Sequence, residues 1–195
     1  MISVVIPTLN SERVLVPTLA ALVPGSAEGL VRDVVLADGG SRDGTAKIAD
    51  AAGCEFISGP EDEGMRLQSA AASARGDWLL FLRADGILDE GWARGVGAFM
   101  AAAGRAGSAN ERAATFRLAV DGFGLAPRIS EAAAALRLAL LGRPRPDQGL
   151  LISRNFYRSL GGHAPGANSH ARLLARIGRD RVIGLRTRIT IAPDS

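Results

Sequence analysis

An α/β fold, with a mostly parallel sheet flanked by helices, is the architecture this sequence predicts. Two observations predict it. Short, mostly apolar runs at residues 2–6 (β-branched), 31–37 and 78–82 alternate with helical patterns. Such alternation implies parallel strands joined by right-handed crossovers. A polar turn also follows each run: Pro7-Thr8-Leu9-Asn10, Asp38-Gly39-Gly40-Ser41 and Arg83-Ala84-Asp85. Ligands of these sheets bind beyond the carboxyl ends of the strands. The spacing therefore points to a site.

The elements follow in order. Residues 2–6 form a run apolar enough to be buried on both faces, ended by Pro7. Ser11 is placed to cap the next helix, with Pro17 as a local interruption. A second strand is expected at 31–37, a helix at 45–52, a third strand at 54–57 and a helix at 64–75. The strand at 78–82 precedes a helix at 91–103, weakened by its glycines. A loop at 104–110, a strand at 114–120, a helix at 129–141 and strands at 149–153 and 183–191 complete the reading. Asp43 is assigned as a cap for the helix that starts at Thr45.

Length and composition bound the function. The 195 residues suggest one domain, residues 1–195, and 47% hydrophobic against 22% charged residues excludes a disordered chain. The formal net charge is +3, and Lys47 is the only lysine. Arginine suits bidentate phosphate recognition, although codon bias in a GC-rich genome would also enrich it. The arginines are scattered and aromatics make up only 5%, which argues against nucleic-acid binding. No apolar run is long enough to span a membrane; the Ala-rich stretch 129–141 is short and carries Glu131 and Arg137. Residues 1–9 lack the basic start of a signal peptide, and a lone Cys54 suits a reducing compartment. A cytoplasmic protein is expected, peripheral at the inner face of the membrane if its acceptor lies there.

Five segments, taken in register, carry a family resemblance. Val4-Val5-Ile6-Pro7-Thr8-Leu9-Asn10, Asp38-Gly39-Gly40-Ser41-Arg42-Asp43-Gly44-Thr45 and Gly76-Asp77-Trp78-Leu79-Leu80-Phe81-Leu82-Arg83-Ala84-Asp85 are the first three. Asp147-Gln148-Gly149 and Leu160-Gly161-Gly162 are the others. Together they resemble the family-2 glycosyltransferases of the GT-A fold, a nucleotide-diphospho-sugar transferase fold. The flavour is that of a small bacterial subgroup with an Asp-Gly-Gly-Ser motif. The resemblance divides the domain into a nucleotide-binding half, 1–86, and an acceptor half, 87–195. Relatives commonly continue into a basic amphipathic segment, so the acceptor half is expected to be truncated and the donor less well shielded from water.

The resemblance implies an inverting transfer of a sugar from a UDP- or GDP-linked donor to a hydroxyl acceptor, with lipid-linked hydroxyls among the candidates. Pro7, Thr8, Asn10 and Asp38 would face the nucleotide, Asp38 through a ribose hydroxyl or base N–H. Arg66 and Arg83 are assigned to the same side. Asp85 would hold a divalent metal, magnesium or manganese, which bridges the diphosphate and stabilises the leaving group. The family usually places another acid or a histidine two residues earlier. Here Arg83 stands there, so metal binding is expected to be weak and a direct arginine–phosphate contact becomes an alternative.

The base is a second departure. Family members use an aspartate of an acidic pair after the Gly-Gly turn, but residues 161–179 contain no acid and the fitting positions read Ser169-His170. His170 is the candidate base and His163 a weaker one; Asp147 would orient the acceptor. With His170 at its unperturbed pKa near 6.5, activity would fall below that pH. The alternative is a catalytically decayed relative that binds nucleotide sugars. A nucleotidyltransferase ranks last, because Thr8-Leu9-Asn10-Ser11-Glu12 is not a glycine-rich phosphate loop.

Overall fold

The computed structural model describes residues 1–59, 61–120 and 144–191. Its centre is an eight-stranded sheet of order β3-β2-β1-β4-β7-β6-β8-β5. The strands are β1 (Ile2–Thr8), β2 (Val31–Asp38), β3 (Glu55–Ser58), β4 (Trp78–Phe81), β5 (Ile87–Leu88), β6 (Ala113–Val120), β7 (Leu150–Ser153) and β8 (Val182–Ile191). β3, β2, β1 and β4 run parallel, as does the β6–β8 pair; β7 is antiparallel to both of its neighbours, and β5 is antiparallel to β8. The helices are α1 (Glu12–Ala27), α2 (Thr45–Ala51), α3 (Glu63–Ser73), α4 (Trp92–Arg105), α5 (Arg154–Ser159) and α6 (Ser169–Ile177). The α/β architecture with a mostly parallel sheet is thus the one expected. The helix expected at 129–141 lies outside the described residues.

Alternation along the strands builds two cores. Ile2, Val4 and Ile6 of β1 point to one face, where Leu15 and Leu22 of α1 and Trp92, Val96 and Phe99 of α4 cover them. Val5 of β1, Leu79 and Phe81 of β4 and Leu150 of β7 point to the other. There they meet Leu67 and Ala70 of α3, Phe156 of α5 and Leu173 of α6. A sheet covered on both faces needs continuous apolar runs, and that is why residues 2–6 carry four fully buried hydrophobics.

The structure corrects the readings at three prolines and caps. β1 does not end at Pro7 but continues to Thr8. Leu82 N–H donates to Val5 O and Gly39 N–H donates to Thr8 O, so the backbone groups of Pro7 face the β4 side. β4 pairs with β1 only as far as Val5, so the missing N–H of Pro7 costs no ladder bond. Pro17 does not interrupt α1, which contains both Pro17 and Pro24. Pro17 and Arg13 are exposed, and the carbonyl freed by the proline can be hydrated. Ser11 occupies the cap position of α1 without a side-chain cap bond; its Oγ accepts from Leu9 N–H at 3.2 Å instead.

α5 and α6 had no sequence counterpart and they decide where the acceptor half sits. Ser153 caps α5 by accepting from Phe156 N–H at 3.1 Å. Asp62 caps α3 by accepting from Met65 N–H at 2.9 Å, and its other oxygen accepts from Gly166 N–H at 2.5 Å. That second bond ties the start of α3 to the loop before α6. Gly64 makes the approach possible: a Cβ there would lie 2.3 Å from Ala164 O and 2.6 Å from Ser169 Oγ. Gly64→Ala should therefore lower stability by about 1–3 kcal/mol, the usual cost of overpacking. Chemical denaturation of the variant against the wild type measures it.

Candidate active site

Beyond the carboxyl ends of β1 and β4 lies an open cleft of about 660 Å³. Pro7, Thr8 and Asn10 line it from the first turn and Arg66 from α3. Arg83 and Asp85 come from the turn after β4, and Asp147 and His170 from the acceptor half. Residues far apart in sequence, all named from it alone, thus face one space. Glu63 and Arg145 also line it and were missed. Arg145 had a legible signal, since Arg145-Pro146-Asp147 repeats the Arg-x-Asp spacing of Arg83-Ala84-Asp85.

Asp38 is the exception. It is 1% exposed and is not among the residues lining the cleft. Its Oδ1 accepts from Thr8 Oγ1 at 2.9 Å and Ser41 Oγ at 2.5 Å; its Oδ2 accepts from the N–H groups of Gly40 at 2.9 Å and Ser41 at 2.8 Å. Burial alone would raise its pKa, but the bonds from Ser41, Thr8 and Gly40 outweigh it and hold the carboxyl below the usual range. As arranged, this carboxylate closes a turn rather than facing a ligand.

The two turns are zipped together around it. Asn10 N–H donates to Ser41 Oγ at 2.8 Å, and Asn10 Oδ1 accepts from Arg42 N–H at 2.9 Å. Asp43 is not the cap of α2 that the sequence predicts: the cap position is Gly44, without a side-chain cap bond, and Asp43, one residue earlier, accepts from Thr45 N–H and Oγ1 and from Glu12 N–H at the start of α1. Glu12 returns the contact by accepting from Gly44 N–H at 2.8 Å. Arg66, 6% exposed, passes over the backbone of this turn: a Cβ at Gly39 would lie 2.9 Å from its Cζ, and one at Gly59 2.9 Å from its Cγ. The first glycine of Asp38-Gly39-Gly40 thus makes room for an arginine.

Two carboxylates facing the cleft, Asp85 and Asp147, are held by neighbouring arginines. Arg83 Nε and Nη2 donate to the two oxygens of Asp85, each at 2.8 Å. Arg145 bonds Asp147 Oδ2 through Nε at 3.1 Å and Nη2 at 2.8 Å. Asp147 is 7% exposed, and its Oδ1 has no hydrogen-bond partner among the described residues. The expectation of a metal at Asp85 does not fit this arrangement. Both of its oxygens carry a guanidinium, and no group of three metal-ligating side chains occurs among the described residues. A cation there would have to displace Arg83 and then sit beside its charge.

His170 is the second residue of α6, half-buried in the cleft wall. Its Nδ1 lies 3.1 Å from Nε2 of His163, which is fully buried. His163 Nδ1 in turn lies 2.9 Å from Tyr157 Oη, and His163 N–H donates to that oxygen at 3.0 Å. Burial pushes His170 down to about 4. Burial, with the charges of His170 and Arg176, pushes His163 down to about 3. The expected fall in activity near pH 6.5 is therefore corrected: in this wall an imidazole stays neutral well below that pH.

The family profile of "Glycosyl transferase family 2" matches residues 3–117, more than half of the chain. The chain belongs to that family. No curated protein sequence matches it. Among solved structures, the family-2 chain is similar to glucosyl-3-phosphoglycerate synthase from Mycobacterium tuberculosis, described with Mn2+, UDP and glucosyl-3-phosphoglycerate. The TM-score is 0.66 at 23% identity, over 98% of this chain and 70% of that one. It is also similar to S. aureus TarS 1–349, with a TM-score of 0.72 at 14% identity over 98% of this chain and 60% of that one. A TarS structure in complex with UDP-GlcNAc gives a TM-score of 0.71 at 15% identity, over 100% of this chain and 59% of that one. These likenesses establish the GT-A fold.

The histidine pair gives the family-2 domain a pH-dependent stability with a definite sign. Both pKa values are lowered in the folded state, so the unfolded chain binds more protons as pH falls below about 6.5. Stability should be fully present above that pH and fall towards pH 4, by up to roughly 2.7 kcal/mol per pH unit for two imidazoles. Denaturation midpoints between pH 7.5 and 4.5 test this: a His163→Gln/His170→Gln variant should show a flatter profile.

Proposed function

We propose that this family-2 chain transfers a sugar from a nucleoside-diphosphate donor to a hydroxyl acceptor with inversion, in the cleft between its two halves. The observation that carries the reading is convergence. Eight residues named from the sequence, Pro7, Thr8, Asn10, Arg66, Arg83, Asp85, Asp147 and His170, line one space at the strand ends where such sheets bind ligands. The UDP and UDP-GlcNAc complexes of the similar structures support a nucleotide-linked donor.

The base and ribose lie against Pro7, Thr8 and Asn10. Asp38 acts on them indirectly, by fixing Thr8 and the adjoining turn. Arg83 and Arg66 hold the diphosphate, since planar guanidinium groups match phosphate oxygens and keep their charge at any working pH. Asp85 orients Arg83. Because the residues at Asp85 do not suit a metal, no step of this mechanism uses one; the charge that grows on the leaving diphosphate is met by arginine. Asp147 Oδ1 accepts from a neighbouring hydroxyl of the acceptor, and so aims the attacking hydroxyl at the anomeric carbon. His170 takes the proton as the oxygen attacks. A neutral imidazole is the form that can do so, and burial keeps His170 neutral. The acceptor half meets the donor half at this point, at the inner membrane face if the acceptor is lipid-linked.

A decayed, binding-only relative is the second reading. It is favoured by the absence of any acidic residue in 161–179.

Calorimetric titration with UDP and GDP, with and without manganese, tests the donor site. Binding of one nucleotide with a Kd that manganese leaves unchanged is expected. Arg83→Asp should weaken binding without metal and make it manganese-dependent. No binding of either nucleotide would remove the reading. His170→Gln should lower the rate of sugar-nucleotide consumption by about 10²–10⁴-fold, the range for losing a general base. A wild type that binds nucleotide but turns over no donor would favour the binding-only relative.

A further inference from the structure

We propose that Tyr157, His163 and His170 form a proton relay, leading from the cleft to a second, smaller cavity between α3 and α5. The proposal rests on the reading of His170 as the group facing the acceptor. The relay itself rests on the hydrogen-bond chain. Tyr157 Oη and His163 Nδ1 are 2.9 Å apart, and His163 Nε2 and His170 Nδ1 are 3.1 Å apart. The two imidazole planes differ by 23° and their centroids lie 5.3 Å apart. That is close to the largest separation two such rings can have with a nitrogen contact of 3.1 Å, so they meet edge to edge. With Nδ1 of His170 turned to His163, Nε2 is the nitrogen left for the cleft, which His170 lines.

The residue at the far end of the chain also lines a cavity. Tyr157 lines, with Gln68, Ala71, Arg158, Gly161 and Gly162, a cavity of about 250 Å³. Gly162 sits directly over the hydroxyl: a Cβ there would be 3.0 Å from Tyr157 Oη. No side chain from residue 162 therefore stands between the hydroxyl and its surroundings.

The chain has two neutral proton arrangements, because each imidazole carries one N–H. In the first, His170 Nδ1–H donates to His163 Nε2, and His163 Nδ1–H donates to Tyr157 Oη, whose own hydrogen points to the small cavity. His170 Nε2 is then a free lone pair. In the second, Tyr157 O–H donates to His163 Nδ1, His163 Nε2–H donates to His170 Nδ1, and Nε2 carries the hydrogen. Sugar transfer converts one into the other. The acceptor O–H bond breaks as its oxygen bonds to the anomeric carbon, and the bond from that carbon to the diphosphate breaks with its electron pair. The proton goes to His170 Nε2. The Nδ1 proton of His170 passes to His163 Nε2, that of His163 Nδ1 passes to Tyr157 Oη, and the original hydroxyl proton of Tyr157 leaves to water. Every member of the chain ends neutral. A buried imidazole that would resist becoming a cation can therefore still remove a proton. The charged groups around the chain are Arg176 beside His163, Arg154 and Arg158 about the cavity of Tyr157, and Glu61, Asp62, Glu63, Arg66, Arg145 and Asp147 in the pockets that His170 lines.

Nitrogen NMR of the full chain labelled with 15N-histidine tests the relay, since the chain has only two histidines. Both rings should stay neutral from pH 7 to 5, with a scalar coupling across the His163 Nε2–His170 Nδ1 bond in the wild type. Tyr157→Phe, which keeps the ring and removes the hydroxyl, should shift the tautomer ratio of His170 severalfold, two hydrogen bonds away. A wild type without that coupling, or with His170 titrating near its ordinary value, overturns the relay whatever the variant does. So does a folded Tyr157→Phe with unchanged His170 nitrogens. These spectra need no turnover. An unchanged rate in His170→Gln would remove the base assignment instead, leaving the hydrogen-bond chain to be judged by its own signals.

Discussion

The carboxylate of Asp38 is the constraint on which the nucleotide side of this molecule depends. It stands at the end of β2, in register with Thr8 at the end of β1. Its four accepted bonds fix Thr8, Gly40 and Ser41 at once. From that anchor the next bonds follow in sequence: Ser41 receives Asn10, Asn10 receives Arg42, and Asp43 and Glu12 close the starts of α1 and α2 on one another. A helix start leaves backbone N–H groups without partners. Here each helix borrows an acidic side chain from the other turn. The polar residues that look like ligand contacts in sequence are in large part contacts between the two turns, and the cleft floor is shaped by that mutual capping.

A similar economy governs the charges. Arg83 and Asp85, and again Arg145 and Asp147, are paired two residues apart in two turns that both line the cleft. Pairing of this kind lowers the net charge a ligand meets, but it also restrains long side chains that would otherwise lose entropy on binding. The pairs differ in one respect. Asp85 gives both oxygens to Arg83, whereas Asp147 keeps Oδ1 without a partner among the described residues. A buried carboxylate oxygen in that state is costly unless a donor arrives. The acceptor side of the cleft is therefore the side that gains most from a hydroxyl.

The sheet and its strand-end turns were legible because their signals are local. Residues 2–6, 31–37 and 78–82 are mostly apolar runs, broken only by Ser3, Arg32 and Asp33, and such runs have few ways to be satisfied other than a doubly covered sheet. That Pro7, Thr8, Asn10, Arg83 and Asp85 would share one cleft was legible because they follow strand ends, the place where such sheets bind ligands. What escaped is what depends on distant partners. Pro7 could remain in β1 only because β4 stops early, a fact of strand length that Pro7 does not report. Asp38 was read as facing a ligand because nothing in its own segment reveals Thr8 across the sheet. α6 escaped because the glycines of 161–166 mask its start, and its stabilising contacts come from α3 through Gly64 and Asp62. His170 was found by position in a motif, but its chemistry was misjudged for want of the neighbour that desolvates it.

That neighbour also changes what the missing acidic pair means. A carboxylate base at the cleft wall would be charged in the ground state and would need water or donors to keep it so. The histidine pair meets the opposite condition: it packs against Phe81, whose ring centroid is 4.7 Å from that of His163 and 6.1 Å from that of His170. An apolar wall suits a neutral base and would penalise an acidic one. The same wall backs His170 on one side and leaves its Nδ1 to the hydrogen-bond chain through His163 to Tyr157.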